Sequence, residues 1–493
     1  MVLQSDSWHE ERMLIDGELV GAEGGAVYDN INPANEEVIG VAADASASDV
    51  DRAIAAARTA FDETDWSRDV ELRVRCLHQL HQALRDHQDD LAEITIAEVG
   101  APRMLMGGPQ LGAPIEFLPY FADLAESYEW IHPLGEADTF AGRSNRWIER
   151  EAVGVVGAIT PWNYPNQINI AKVAPALAAG CTVVLKPAPD TPWTGLALGR
   201  LAAEHTEIPP GVFNVVTSSD KTIGEVLTTS PDVDMISFTG STAVGRRIME
   251  AGAATIKRVF LELGGKSAHI VLDDVDDIGG ASVAAVFGIC THGGQGCATS
   301  TRLLLPRSRY DEGVEAAAAM ISTMAYGDPQ DPGNLTGAIV NRAQLERIDG
   351  LVRKGVDEGA RVVVGGGIAT QFEKGFYFQP TLLADVDNNM AVAQEEIFGP
   401  VLVVIPYEDD DDAVRIANDS IFGLSGGVSG ADRERVLRIA RRIRTGTMSI
   451  NGGLWYGADV PFGGYKQSGV GREMGVAGFE EYLEQKAMAE AVP

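Results

Sequence analysis

With 71 acidic against 39 basic side chains and a net charge of −32 in 493 residues, the chain is repelled by phosphate backbones and anionic membrane surfaces, which excludes nucleic acid and lipid headgroups as partners. It is long enough for about two to four domains around a large core, its acidity being that of a solvated surface or of a salt-tolerant host. No run of about 18 apolar residues marks a membrane span, Met1–Glu11 lacks the pattern of a signal peptide, and four cysteines without CxxC or zinc-ligand spacing give neither a disulfide framework nor a metal site, so a reducing cytoplasm is expected.

In chain order, a strand and turn at Met13-Leu14-Ile15-Asp16-Gly17 precede a turn at Asn32-Pro33-Ala34. Apolar residues at helical spacing predict helices over 47–64 and 70–99. The segment 139–151, which includes Arg146-Trp147-Ile148-Glu149, interrupts this region; with the tail 482–493 it is expected to supply protruding strands for subunit contact. Strands over 153–160, 182–186, 212–216, 235–239 and 259–263 then alternate with helices over 171–179, 195–205, 223–229 and 242–254. That alternation predicts a parallel sheet covered on both faces. A second α/β stretch from about 268 to 466 carries strands over 301–306, 360–364 and 401–406, with helices over 310–324, 342–359 and 433–444.

Two short runs carry the chemistry. Cys297 sits in Gly293-Gly294-Gln295-Gly296-Cys297-Ala298, and Glu262 sits upstream in Leu261-Glu262-Leu263-Gly264-Gly265-Lys266. A loop of small residues gives an attacking sulfur room for its substrate and a backbone amide for the oxyanion. A carboxylate in a strand-like stretch is costly to bury without a purpose. Thiol plus base points to covalent catalysis on a carbonyl. Asn163, in Thr160-Pro161-Trp162-Asn163-Tyr164-Pro165, either donates to that oxyanion or satisfies its own turn.

Three further segments point to a ligand. Gly240-Ser241-Thr242-Ala243-Val244-Gly245 opens a helix after a strand, which suits a phosphate or a plain tight turn, and the GxGxxG fingerprint is absent. Lys186 ends a strand, where open α/β sheets bind ligands. Glu396 and Phe398, two apart in Glu395-Glu396-Ile397-Phe398-Gly399-Pro400, either bracket a nicotinamide riboside or form a surface acid and a core aromatic.

These motifs, in this order from Asn32-Pro33-Ala34 to Glu473, resemble the signatures of the NAD(P)-dependent aldehyde dehydrogenase superfamily over nearly the whole chain. The resemblance implies an α/β fold of two doubly wound parallel-sheet domains, one Rossmann-like, plus a small β oligomerisation element. The cofactor-binding domain would take 1–130 and 152–262, the catalytic domain 263–466, and the oligomerisation and closing segments 131–151 and 467–493. It further implies that Cys297 is the nucleophile, Glu262 the base, and Asn163 an oxyanion donor with the Cys297 N–H. Lys172 and Glu473 would relay protons from the base or form a structural ion pair. Ile159, Thr160, Pro161, Trp162, Leu263 and Gly264 would contact the cofactor; Gly240, Ser241 and Gly245 would grip its pyrophosphate, Lys186 its adenosine ribose, and Glu396 and Phe398 its nicotinamide riboside.

By the same resemblance Tyr164, Gln167, Ala171, Tyr456 and Phe462, with Ile168, Phe287, Gly296, Ala298 and Trp455, line the aldehyde entry. Ala171 replaces a large aromatic of many relatives and no Arg or Lys falls among these positions, so a medium or bulky apolar or aromatic aldehyde is expected. The implied reaction runs through a Cys297 thiohemiacetal, hydride loss to nicotinamide, a thioester, and hydrolysis by water that Glu262 activates; the presence of Glu262 favours water over coenzyme A. Cys76, Cys181 and Cys290 are expected to be inert, and His292 structural or pocket-lining. Pro189 stands where many relatives carry a glutamate facing the adenosine ribose, so NAD is expected with measurable NADP activity. A homotetramer built from dimers is the implied assembly.

Overall fold

The computed structural model describes residues 10–493; Met1–His9, part of the N-terminus expected to carry no signal peptide, lie outside the described residues. The helix Ala47–Glu63 begins at a capping box, in which the Asp49 N–H donates to Ser46 Oγ at 3.2 Å and the Asp49 carboxylate accepts from the Ser46 N–H at 2.9 Å. The single helix expected over 70–99 is two, Val70–Asp86 and Gln88–Val99, because His87 leaves helical geometry at φ −109° and ψ 15°.

The first sheet runs Gly469–Val470, Arg258–Glu262, Met235–Thr239, Val155–Ile159, Thr182–Lys186, Phe213–Val215, Met13–Ile15, Glu18–Val20. Its five middle strands are parallel and the flanking ones antiparallel. The chain winds outward in both directions from Val155–Ile159, so a crevice forms between Ile159 and Thr239 at the strands' carboxyl ends. Thr182–Lys186 and Met235–Thr239 are buried at every residue, as strands covered on both faces must be.

The second sheet runs Arg361–Val364, Thr381–Ala384, Val401–Tyr407, Ser300–Pro306, Ser267–Val271, Gly426–Ser429, Ser449–Ile450, parallel throughout except for its first pairing. The strand period of two divides its side chains: Leu304, Val403 and Ile405 enter one core, while Leu303, Leu305, Leu402 and Val404 enter another. A third, antiparallel sheet joins Ile131–Thr139, Gly142–Ala152 and Leu483–Ala491, with Leu483 opposite Ala152. Among the described residues no helix is long and apolar enough to cross a membrane.

Candidate active site

The strand Arg258–Glu262 ends at Glu262, and its register beside Met235–Thr239 is held past the end by the Gly240 N–H donating to the Glu262 carbonyl at 2.9 Å. After the helix Ile278–Cys290, His292, Gly293 and Gly294 follow one another in left-handed conformation (φ 51°, 62°, 67°) and turn the chain toward Cys297. Gly265 passes the Cys297 carbonyl so closely that a Cβ would collide with it. The two sequence runs therefore meet in space.

They meet on a cavity of about 360 Å³ whose wall carries Cys297, Glu262, Asn163 and Glu473. Tyr164, Gln167, Ala171, Tyr456 and Phe462 line it too, as do Ile168, Phe287, Gly296, Ala298 and Trp455. Lys172 stands behind the wall, fully buried, with Nζ donating to Glu473 Oε1 at 3.0 Å and to Ser237 Oγ at 3.3 Å, over the Phe260 ring. Reciprocal 2.7 Å backbone bonds tie Glu473 to Phe462.

The Glu262 carboxylate is buried and neither oxygen has a hydrogen-bond partner among the described residues. Burial, reinforced by the negative charge of Glu473, lifts its pKa well above the usual carboxylate range; Lys172, Arg472 and a poorly placed Gly464 amide oppose the shift. Burial also pushes the Cys297 thiol up, and Glu262, Glu396 and Glu473 add to that, against one Ala298 amide. The thiol is thus held protonated until something positive arrives or a base takes its proton. Asn163 Nδ2 donates to the Gln295 carbonyl at 2.8 Å, which leaves its second hydrogen free for an incoming oxygen.

The expected cofactor residues gather at the crevice of the first sheet. Ile159 ends its strand opposite Lys186; Pro161 follows the buried Thr160, whose Oγ1 donates to Asn169 Oδ1 at 2.6 Å. Ser241 caps the helix Thr242–Gly252 after Gly240, accepting from the Val244 N–H at 3.4 Å. Gly245 packs on Leu263 and Gly264 on Glu396, each without room for a Cβ. Glu396 Oε1 accepts from the Gly265 N–H at 2.8 Å, and burial raises its carboxyl to about 7. Phe398 meets Trp162 edge to face at 5.3 Å. Lys186, its pKa lowered to about 8 by burial, donates to the Pro187 carbonyl at 3.2 Å and to no other group among the described residues.

Cys76, Cys181 and Cys290 are buried with free thiols. His292 is buried and packs its ring edge to face on Tyr164 at 5.3 Å. Pro109, Phe117 and Thr239 also line the cavity, and Gln110 and Gln295 bond around Asn163; sequence reasoning missed all five roles. Gln295 lies inside the Cys297 run and was legible as a neighbour, whereas nothing in the sequence near Pro109, Gln110 or Phe117 announces them.

A model of the aldehyde dehydrogenase family matches residues 20–488. The chain belongs to that family. It is 42% identical over 481 residues to a 3-succinoylsemialdehyde-pyridine dehydrogenase of a Pseudomonas species, covering 96% of this chain and 97% of the relative. A crystal structure of a cysteine-to-alanine variant of aldehyde dehydrogenase C from Pseudomonas syringae, complexed with NAD+ and octanal, superposes with a TM-score of 0.92 at 40% identity, covering 98% of this chain and 97% of that one. An aldehyde dehydrogenase of Mycobacterium tuberculosis complexed with NAD+ gives 0.92 at 41% identity, covering 98% of each chain. The two doubly wound α/β domains are those of an aldehyde dehydrogenase, an oxidoreductase acting on the aldehyde group.

Proposed function

We propose that this aldehyde dehydrogenase oxidises medium-sized or bulky apolar or aromatic aldehydes to their acids, with NAD as preferred cofactor and measurable NADP activity. One observation carries the reading. An unpaired, buried carboxylate, a thiol held protonated and a side-chain amide with a hydrogen to spare share one cavity wall.

The crevice fits a dinucleotide. The helix Thr242–Gly252 turns its free N–H groups toward Gly240, and Gly245 and Gly264 leave no room for side chains. The buried Glu396 carboxylate retains acceptor capacity for ribose hydroxyls, and among the described residues the Lys186 ammonium donates to a single carbonyl. The NAD+ held by the Pseudomonas syringae and Mycobacterium tuberculosis enzymes supports the same choice. Pro189 places no carboxylate near a 2′-phosphate, while Asp190, accepting from Asn341 Nδ2 at 2.8 Å, keeps negative charge close by.

Bound NAD+ supplies a positive ring and the acceptor for hydride. The protein supplies the rest. Glu262 takes the Cys297 proton, directly or through water, and the sulfur bonds to the carbonyl carbon. Asn163 Nδ2–H and the Cys297 N–H hold the resulting oxyanion. Once the thioester has formed, Glu262 takes a proton from the attacking water, the S–C bond breaks, and acid and thiolate separate. Glu473, paired with Lys172, receives protons from Glu262.

The wall carries aromatics and no Arg or Lys, and Trp455 stacks on Phe462 at 5.4 Å, which supports an apolar or flat substrate. Octanal in the Pseudomonas syringae complex and the pyridine substrate in the other relative's name fit that class. The sheet of 131–152 and 483–491 exposes Ile131, Leu134 and Phe140, as surfaces buried in a homotetramer of dimers would; a monomer mass by light scattering would overturn that assembly. The proposed setting is a reducing cytoplasm, which the four free cysteines support. The main test is an aldehyde panel followed by NADH absorbance: apolar and aromatic aldehydes turn over fastest, and Cys297→Ala loses at least about 10³-fold while still binding NAD. Turnover in that variant at the wild-type rate would overturn the nucleophile.

A further inference from the structure

Gln110 lies in the loop between Arg103–Leu105 and the short helix Gly112–Ile115, with no exposure to solvent. Its Nε2 donates to the Asn163 carbonyl at 2.9 Å. Its own carbonyl accepts from Asn166 Nδ2 at 3.2 Å, and the same nitrogen donates to Thr95 Oγ1 at 2.8 Å. Beyond Asn163, the Nδ2 bond to the Gln295 carbonyl continues the line into the nucleophile loop. Gln295, equally buried, fixes that loop: Nε2 donates to the His292 and Ala338 carbonyls at 3.1 Å each, and Oε1 accepts from the Val340 N–H at 3.0 Å. An unbroken series of hydrogen bonds thus joins the helix Gln88–Val99 to the loop that carries Cys297.

The series has a directional consequence. The peptide plane of Asn163 is held at its carbonyl by Gln110, and its side-chain amide is held at one hydrogen by Gln295. With both ends fixed, the remaining Nδ2 hydrogen has one direction to point. An oxyanion donor acts by being oriented before charge develops, so whatever fixes that direction contributes to the rate.

Gln110 also pays for its place: Oε1 is buried with no partner among the described residues, a cost that an apolar side chain of the same size would not incur. What the amide adds over methionine is the donor to Asn163. We propose, resting on the catalytic reading above, that Gln110 is a positioning residue for aldehyde oxidation, orienting the Asn163 amide toward the oxyanion from outside the cavity.

The test compares pre-steady-state acylation in Gln110→Met, Asn163→Ala and the double variant, with NAD binding measured on each. Gln110→Met is expected to slow acylation about tenfold, the scale of one neutral hydrogen bond, with KM for NAD unchanged. Asn163→Ala is expected to lose about 10²–10³-fold. Adding Gln110→Met to Asn163→Ala should then cost nothing more, because the group being oriented is gone. Wild-type acylation in Gln110→Met, or losses that multiply in the double variant, would overturn the proposal.

Gln110→Glu is the second variant. It keeps the volume and donates only when protonated, so its deficit against wild type at equal pH should narrow as pH falls. A deficit independent of pH would count against the assignment. Failure of both variants to fold would overturn it as well, since Gln110 would then serve the fold alone. Wild-type acylation in Asn163→Ala would instead bring down the oxyanion role itself, a separate result.

Discussion

Arg302 and Glu262 are both buried charged side chains, on strands of the second and first sheets, and their surroundings are opposite. Arg302 donates to the carbonyls of Lys266, Ile416 and Ala417 at 2.9 Å each and to Asn388 Oδ1 at 2.8 Å. Neither oxygen of Glu262 has a hydrogen-bond partner among the described residues. A saturated buried charge ties segments together; an unsaturated one keeps its bonding capacity for something that arrives later. Glu396 falls between them, with one hydrogen-bond partner among the described residues, the Gly265 amide. On the roles proposed for them, the number of bonds a buried charge already makes separates scaffold from chemistry at these three positions.

The largest expected effect lies at the unsaturated end. Glu262→Gln should slow thiol activation, thioester hydrolysis or both, with turnover down about 10²–10⁴-fold, and the size of the NADH burst tells which step has become limiting. Its pH profile sharpens the point. Because the folded protein raises this carboxyl's pKa, wild-type turnover climbs with pH beyond the ordinary carboxylate range as the base is unmasked, and the Gln variant should lose that rise. A Gln variant that keeps both the rate and the slope would break the comparison.

Next comes the saturated end. Arg302→Met removes one donor group from four acceptors and should cost about 3 kcal/mol, read as a lower urea midpoint, while the folded fraction keeps its kcat. An unchanged midpoint with lost activity would reverse the roles. The smallest effect belongs to Glu396. With its carboxyl raised to about 7 by burial, it is mostly protonated at pH 6 and ionised at pH 8, so NAD should bind more tightly as pH rises. Glu396→Gln should weaken binding about tenfold at pH 8 and flatten that dependence, measured by calorimetry.

The sequence made most of the first sheet legible. Thr182–Lys186 and Met235–Thr239 match their expected spans because each is a short apolar run between helical patterns. Gly426–Ser429 was not legible: two glycines are poor strand formers, and the strand exists because it pairs in parallel with Ala268–Val271, where a Cβ at Gly427 would strike the His269 ring. The break at His87 was hidden for the opposite reason, since helical spacing continues on both sides of it. Cys297, Glu262 and Asn163 were legible because their runs are local. Gln110 was not, because its meaning lies in a bond to a residue 53 positions away.

The last strand of the first sheet, Gly469–Val470, is also among the last elements of the chain, and Glu473 follows it onto the cavity wall. Tyr482 then bonds Ser237, the residue that receives Lys172. The single stretch 469–482 thus reaches the cavity wall through Glu473 and, through Tyr482, the same Ser237 hydroxyl that accepts from Lys172, so a substitution within it acts on the pocket without touching Cys297.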